Sequence, residues 1–528
     1  MDKALQAELE VMKYVETINE AISQGDTPIQ QFYKDTTVFV TGSSGFIGKH
    51  LVEKLFRSCQ IKKMYLLLRS KKGKTIQERL NYMLSDPLYD VLRERKPTFA
   101  ARIIPVEGDV ADLRLGLSDK DWETVTKEVD TVFHLAATVR FDEPLRTATL
   151  INVRGTRETL ELAKACPHLK NFVHVSTAFC HATNERVGQD ILEQFYPSPV
   201  PPEVMIGLAE NLDNTKMDAI AMGMIKGWPN TYTFTKAIAE EAVRTIGRDL
   251  PICVLRPPIV CSSFFEPKPG WLDLTALSGP CGITAAIIMG VLHVFYVNKH
   301  CKMAITPIDY VNNATIAAGW DAASRNKDEN TEIPVYTISN KNKFITWDFI
   351  GVRLRAERNI PSPKAVWYCY LFEVQNMMLY GIVTFFLHYI PAFIMDIVLR
   401  VLGKMPKEIP SFVGTYRKID KMASIYDYFL SNTWGFEDYN VQSMLNRMGD
   451  ADKIIYNCDL KTYDLYQYVK IWGLGIRRYI IKDNLEGSED AIKYQKWFRI
   501  ANFFLIAFYL FLVFLVIRLC WNVFNYFI

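Results

Sequence analysis

Two periods run through the first two thirds of the 528-residue chain. Short apolar runs rich in β-branched residues read as strands, and longer runs with a repeat near 3.6 read as helices. VFV at 38–40, MYLLLR at 64–69, RIIPVEGDV at 102–110, TVFHLAA at 131–137, NFVHVSTAF at 171–179 and PICVLRPPIV at 251–260 are the strand candidates. Helices are expected after a glycine turn at 42–48, over 153–165, and from Tyr232 to about Thr245. Such alternation predicts an α/β fold built on a doubly wound parallel sheet. Residues 1–34 read as an amphipathic helical lead-in and 35–350 as the sheet domain. From 361 to 483 the chain becomes aromatic-rich and predicts a second, mainly helical domain, with a polar linker over 483–490.

Two stretches break this pattern by being apolar on every side. IANFFLIAFYLFLVFLVI, 500–517, has Asn502 as its one polar residue. As a helix it would span about 27 Å at ~1.5 Å per residue, close to the hydrocarbon thickness of a thin membrane. Lys493, Lys496 and Arg499 precede it, while Arg518 and an interfacial Trp521 follow. A transmembrane helix is expected there, acting as a single C-terminal anchor with the rest of the chain in the cytosol. The second stretch, 377–403, is interrupted by His388, Pro391, Asp396 and Arg400. A buried charge in mid-membrane costs ~2.5–3.5 kcal/mol, so two shorter helices around Pro391 are expected, packed on the protein or dipping into the membrane face.

Composition narrows the class. A net charge of +3 gives no nucleic-acid footprint. The ten cysteines are scattered without a CxxC pair, so no metal ligand set and no disulfide framework is expected. MDKALQAELE at the start lacks the basic and apolar regions of a signal peptide.

Chemistry enters at the glycine turn. In VFVTGSSGFIG, Gly42 suits a tight turn, Gly45 lets backbone approach a pyrophosphate, and Gly48 lets helix pack on strand. The helix N-terminus adds free N–H groups and a positive dipole end. Arg69, Lys71 and Lys72 follow the second strand, where an acid would favour NAD and an arginine suits the 2′-phosphate of NADPH. Asp109 ends the third strand, placed to accept from an adenine amino group, and the small Ala136 and Ala137 end the fourth. Tyr232 and Lys236 in YTFTK share one helix face at i, i+4. An ammonium beside a phenol favours the phenolate, so Lys236 is expected to lower the Tyr232 pKa. Ser176 and Thr177 at the end of the fifth strand offer hydroxyls to a substrate carbonyl.

TGSSGFIG, GDV, HLAA, the strand-end ST, YTFTK and LRPPIV resemble the extended short-chain dehydrogenase/reductases, a Rossmann-type family. More specifically, VFHLAATVRFDEPL, NVRGT, VHVSTAF and PNTYTFTKAIAE resemble the animal alcohol-forming fatty acyl-CoA reductases. HYIPAFIMD, YRKIDK, NTWGFEDYN and NCDLKTYDLYQYVKIWGLGIRRYI are similar to the C-terminal region of that family, so the likeness covers roughly residues 30–480. It implies Tyr232 as catalytic acid, Lys236 as its partner, Thr177 as catalytic hydroxyl and Ser176 as neighbour. It implies NADPH along Thr41, Gly42, Ser44, Gly45, Phe46, Ile47, Gly48, Arg69, Lys71, Asp109, Val110, Ala136, Ala137, Thr138, Pro257 and Ile259. Phe179 stands where the family usually has a tyrosine, and WLDLTALSGP, 271–280, departs from the family's loop.

The activity implied is reduction of a long-chain fatty acyl-CoA to a primary alcohol and CoA, through a bound aldehyde and two NADPH. Membrane lipid is the implied partner, at the endoplasmic reticulum or peroxisome, with a homodimer left open. About 54 residues separate Thr177 from Tyr232, far more than an ordinary connection. The stretch includes MDAIAMGMI, whose flexible Met side chains suit an acyl channel. Two rivals remain: a related membrane reductase acting on a sterol or another lipid carbonyl, and a non-catalytic membrane scaffold that keeps the cofactor fold.

Overall fold

Strand β1, Thr37–Thr41, is buried along its whole length, as a central strand covered on both faces must be. Beside it run β2 (Lys63–Leu68), β3 (Ile103–Glu107), β4 (Thr131–His134) and β5 (Asn171–Val175). Ile252–Arg256 and Val335–Thr337 complete a seven-stranded sheet. From one edge its order is Val335–Thr337, Ile252–Arg256, β5, β4, β1, β2, β3, and every pairing is parallel. The chain steps outward in one direction from β1 to β3 and in the other from β4 onward. A crevice therefore opens at the C-terminal ends of β1 and β4, where such sheets bind ligands. The computed structural model describes residues 2–71, 73–325, 332–339, 344–356, 361–405 and 411–527, so Lys72 lies outside the described residues.

The lead-in forms two helices, α1 (Lys3–Gln24) and α2 (Pro28–Tyr33). Ala4, Ala7, Val11, Val15 and Ile18, at helical spacing, make the buried face of α1. That face packs on the C-terminal helices Asp450–Ile455 and Leu465–Gly475. The Asp2 carboxylate accepts from the Ser488 N–H at 2.9 Å, and Glu8 pairs with Arg478. The helical region is further stitched to the sheet domain by a short parallel pairing of Asp190–Ile191 with Gly435–Phe436.

Two sequence expectations need correction. Residues 377–401 do not break at Pro391. Helix Met377–Thr384 runs through a wide π-type turn, Phe385–Tyr389, into helix Ile390–Val401. Pro391 sits just after that turn, where a missing N–H costs little. The C-terminal apolar run, for its part, belongs to one 40-residue helix, Ser488–Phe527, so the expected linker is already helical at Ser488. By length and composition alone, both stretches could cross a membrane.

Candidate active site

The glycine turn joins β1 to α3 (Phe46–Ser58). Gly42 has φ +74°, and a Cβ there would sit 2.7 Å from the Ala136 backbone nitrogen. At Gly48 a Cβ would sit 2.3 Å from the Gly42 carbonyl oxygen. Helix α3 begins at Gly45 with no side-chain cap, which leaves its first N–H groups for an anion. Ile47 and Phe46 pack against the core, and Phe46 stacks on Trp271 at 5.3 Å. Lys49 of α3 pairs with Asp273 at 2.7 Å, so the loop that departs from the family pattern is clasped to the turn.

A cleft of about 510 Å³ opens beside the turn, lined by Arg69, Ser70, Lys71, Glu107, Gly108, Asp109, Asp112 and Gly116. Arg69 pairs with Asp109 at 2.8 Å, and Asp109 also accepts from the Ala111 N–H at 3.1 Å. Lys71 is exposed, and Val110 is buried beneath the cleft. Arg79, which the sequence reading missed, reaches Ser44 at 3.4 Å and bonds the Arg69 carbonyl. Burial, and then the positive charge of Arg69, lower its pKa. Two guanidiniums side by side at the end of β2 suit a phosphate. Thr75-x-x-Glu78, a capping box that starts helix Ile76–Leu84, is the local signal that places Arg79 there. The uncapped helix, the tight glycines and the paired arginines together fit a nicotinamide dinucleotide.

The Thr41 hydroxyl is buried, bonding His134 Nδ1 at 2.8 Å and accepting from the Ala136 N–H at 3.2 Å. Burial lowers the His134 pKa to about 3, so the imidazole is neutral and can serve this network. Ala136, Ala137 and Thr138 are half-buried along the crevice. Asn152, also missed, bonds both backbone groups of Thr138 at 2.9 and 3.2 Å and the Thr235 hydroxyl at 3.0 Å. Thus it ties the turn after β4 to the helix Thr231–Ile246. Pro257 is buried, its carbonyl accepting from the Ala178 N–H at 2.9 Å, and Ile259 opens a short strand paired with Ile305–Pro307.

Helix Thr231–Ile246 is capped by the Asn230 side chain and carries Tyr232, Lys236 and Glu240 at successive i+4 steps. Thr177 lies close enough to the Tyr232 phenol to influence its titration. The phenol pKa is raised by burial, with Thr177 pulling it back. The lowering expected from the sequence is therefore outweighed by burial in this arrangement. The Lys236 ammonium is buried and donates to the Val175 carbonyl at 2.7 Å. Burial lowers its pKa to about 8, against the pull of Glu240. Ser176 and Thr177 are also separated, for the Ser176 hydroxyl donates to Glu240 at 2.5 Å.

Behind these groups lies a buried ion pair that the sequence pattern did not reveal. Arg256 forks onto Glu240 at 2.9 and 2.6 Å. It also donates to the Leu192 and Gln194 carbonyls at 3.0 and 2.9 Å, fixing the start of the long crossover. On the open side Phe141 stacks on Tyr232 at 5.9 Å, and Tyr426 and Phe429 of helix Phe412–Ser431 pack on Phe141 at 4.9 and 5.3 Å. Phe179 meets Phe429, Trp434 and Phe436. Phe141 thus covers Tyr232, and the second domain packs aromatic rings onto Phe141 and Phe179 in turn. The crossover itself folds into helices Pro202–Asn211 and Asn214–Met224, whose Met205, Ile206 and Met217 pack with Phe234 and Ile238 of the Tyr232 helix.

Comparison with known proteins agrees with this architecture. Two models described as male sterility protein match, the NAD-binding one over residues 40–315 and the Sterile one over 387–483. The chain is 36% identical over 499 residues to fatty acyl-CoA reductase wat of Drosophila melanogaster, covering 94% of each. It is 33% identical over 469 residues to fatty acyl-CoA reductase 1 of Homo sapiens, covering 88% of each. Among solved structures, the terminal reductase domain of the myxalamid pathway aligns with TM-score 0.54 at 22% identity, covering 84% of this chain and 91% of that one. The reductase domain of a nonribosomal peptide synthetase from Mycobacterium tuberculosis aligns with TM-score 0.54 at 18% identity, covering 90% and 98%. Those two likenesses concern the fold, whereas the family follows from the sequence matches: the chain belongs to the fatty acyl-CoA reductases of the male sterility protein family.

Proposed function

We propose that this reductase converts long-chain fatty acyl-CoA to a primary alcohol and CoA with NADPH. The observation that carries this reading is the array of Thr177, Tyr232 and Lys236 at the end of β5, beside a dinucleotide crevice and beneath an aromatic wall. Bound NADPH supplies the hydride for each of two successive reductions. The α3 N-terminus and the glycine turn hold the pyrophosphate, while Arg69 and Arg79 hold the 2′-phosphate that distinguishes NADPH from NADH. Val110 and Ala136–Thr138 would lie along the bound cofactor, with Pro257 and Ile259 toward its nicotinamide end.

Thr177 and Tyr232 donate to the carbonyl oxygen as negative charge develops there. A half-buried phenol with a raised pKa keeps its proton at neutral pH, which suits Tyr232 to act as the acid that completes the alcohol. Lys236 braces the end of β5 through Val175 and faces the cofactor ribose. Loss of the thiol group in the first reduction leaves an aldehyde, and the wall of Phe141, Tyr426 and Phe429 excludes water while it is held. The crossover stretch MDAIAMGMI, 217–225, borders the acyl chain. The units 35–350 and 361–483 act as cofactor and lid domains. The apolar run 500–517 anchors the chain in a membrane, with both units on the cytosolic side.

The test is incubation of the purified full chain with NADPH and acyl-CoAs of graded length, followed by product identification. Fatty alcohol with two NADPH consumed per acyl-CoA is expected. Turnover of a hydroxysteroid with no acyl-CoA-dependent oxidation would favour the sterol-type reductase instead.

A further inference from the structure

Helix Met377–Val401 carries a stripe at every fourth residue, Tyr380, Thr384, His388, Ala392 and Asp396, and the whole stripe is buried. An α-helix would let a four-residue stripe drift around its axis. The π-type turn over Phe385–Tyr389 takes up that drift and keeps the stripe on one face. Each polar member is satisfied by the protein. Asp420 holds the Tyr380 hydroxyl at 2.6 Å, and His388 Nε2 accepts from the His293 and Val294 N–H groups at 3.1 and 3.2 Å. Asp396 accepts from the Ser411 hydroxyl and the Phe412 N–H, both at 2.7 Å. Crossing a bilayer would tear every one of these bonds.

The opposite face has no such partner. Met378, Phe385, Phe393 and Val401 are 75%, 54%, 61% and 81% exposed, a contiguous apolar surface of the kind that marks an interaction site. Its depth is set by the C-terminal helix. Trp367 bonds Asn502 at 3.1 Å, and Phe386 meets the Tyr509 ring at 5.5 Å. Those contacts fall at the third and tenth residues of the 18-residue apolar run 500–517, about 10 Å apart along the helix at ~1.5 Å per residue. Arg400 and Lys404, both exposed, stand at the C-terminal end of the patch, and Arg417 lies close enough to influence Tyr389.

We infer that helix 377–401 lies in the plane of the membrane surface, its outward face sunk into lipid and its basic end on anionic headgroups. An apolar face backed by polar contacts, with cations at the rim, is the signature of an interfacial helix rather than a spanning one. The inference rests on the reading of 500–517 as the anchor, because that run supplies the depth marker. The protein is thereby held at two points, one across the bilayer and one along it.

The test uses the full chain in a Cys520→Ser background, removing the exposed native thiol. A polarity-sensitive fluorophore is attached at Ile394→Cys, Phe511→Cys or Tyr439→Cys, and the protein is placed in phosphatidylcholine–phosphatidylserine vesicles containing a lipid-borne nitroxide quencher. Quenching at 394 and 511, with the exposed Tyr439 position left bright and water-facing, is the expected result. A quenched 511 with a water-facing 394 overturns the in-plane helix alone. A probe at 394 that is shielded from water yet unquenched means that protein, such as a second copy of the chain, covers the face, and also overturns it. An unquenched 511 removes the anchor reading itself.

Discussion

Two fully buried charge clusters lie on opposite sides of the sheet domain, and they do different work. One joins Glu240 and Arg256 behind Tyr232 and Lys236. The other joins Glu266 to Lys54 and Arg57 at 2.5 and 2.8 Å, with Glu53 completing the charge balance at 2.7 Å from Arg57. In both, neighbouring cations hold a glutamate below the usual carboxylate range, with Glu266 at about 2. The partners differ. Glu240 also takes the Ser176 hydroxyl and pulls on Lys236, so its field reaches the reacting groups. Lys54 instead donates to the Ile455 carbonyl at 2.6 Å, and Asn313 links Glu266 to the Asn457 carbonyl. That cluster fastens the helical region to α3. Burial and charge alone therefore do not identify a working group; the polar atoms it holds in place do.

The largest effect falls on the chemistry side. Tyr232→Phe is expected to lower alcohol formation about 10²–10⁴-fold, while NADPH titration and the denaturant midpoint stay near wild type. Loss of folding stability instead would make Tyr232 part of the architecture. Next, Glu240→Gln and Glu266→Gln each leave a buried cation short of its carboxylate, a loss of about 3–5 kcal/mol in unfolding free energy. Only Glu240→Gln should also move the alkaline limb of the kcat/KM profile. If Glu266→Gln moves it equally, the two clusters are not distinct. Arg69→Glu removes a charged hydrogen bond worth about 1.5–3 kcal/mol, so NADPH should weaken roughly 10–150-fold in Kd with NADH little changed. Equal use of both cofactors by the wild type would defeat that assignment.

The smallest change is the pH response of Lys236. Its folded pKa, about 8, lies below the ordinary 10.5 because burial disfavours the charged form. Between those values the unfolded chain holds a proton that the folded chain does not, so this group makes stability rise with pH across that window and adds no slope below it. The ammonium bonded to Val175 is lost over the same range, and kcat/KM should fall by no more than about tenfold per pH unit above 8. Lys236→Met should abolish the stability rise, which denaturant curves at successive pH values would measure.

What could be read in the sequence was local. The glycine turn, the strand ends and the Tyr232–Lys236 spacing each lie within a few residues, and the sheet pattern repeats often enough to establish the parallel fold. The Glu240–Arg256 pair was hidden because its halves belong to a helix and to a different strand. Helical spacing placed Tyr232 and Lys236 on one face, but only the position of the Val175 carbonyl shows that the ammonium turns to the strand rather than to the phenol. Likewise, hydropathy counted His388 and Asp396 as costs in lipid. Their partners at 293–294 and 411–412 are remote in the chain, so no window could show that both groups face inward.

The clasp between α1 and the C-terminal helices has a consequence in time. Asp2 and its hydrogen-bond partner Ser488 are 486 residues apart. At typical synthesis rates the first helix waits roughly 25–100 s for the segment it docks on. Through that interval the buried face of α1 lacks its packing on Asp450–Ile455 and Leu465–Gly475, although β1 to β5 can already pair. The sheet is therefore the part of this molecule that matures early. Helix α1, made long before the segment it docks on, is among the last pieces to find its place, and meanwhile depends on whatever in the cell shields an apolar helix face.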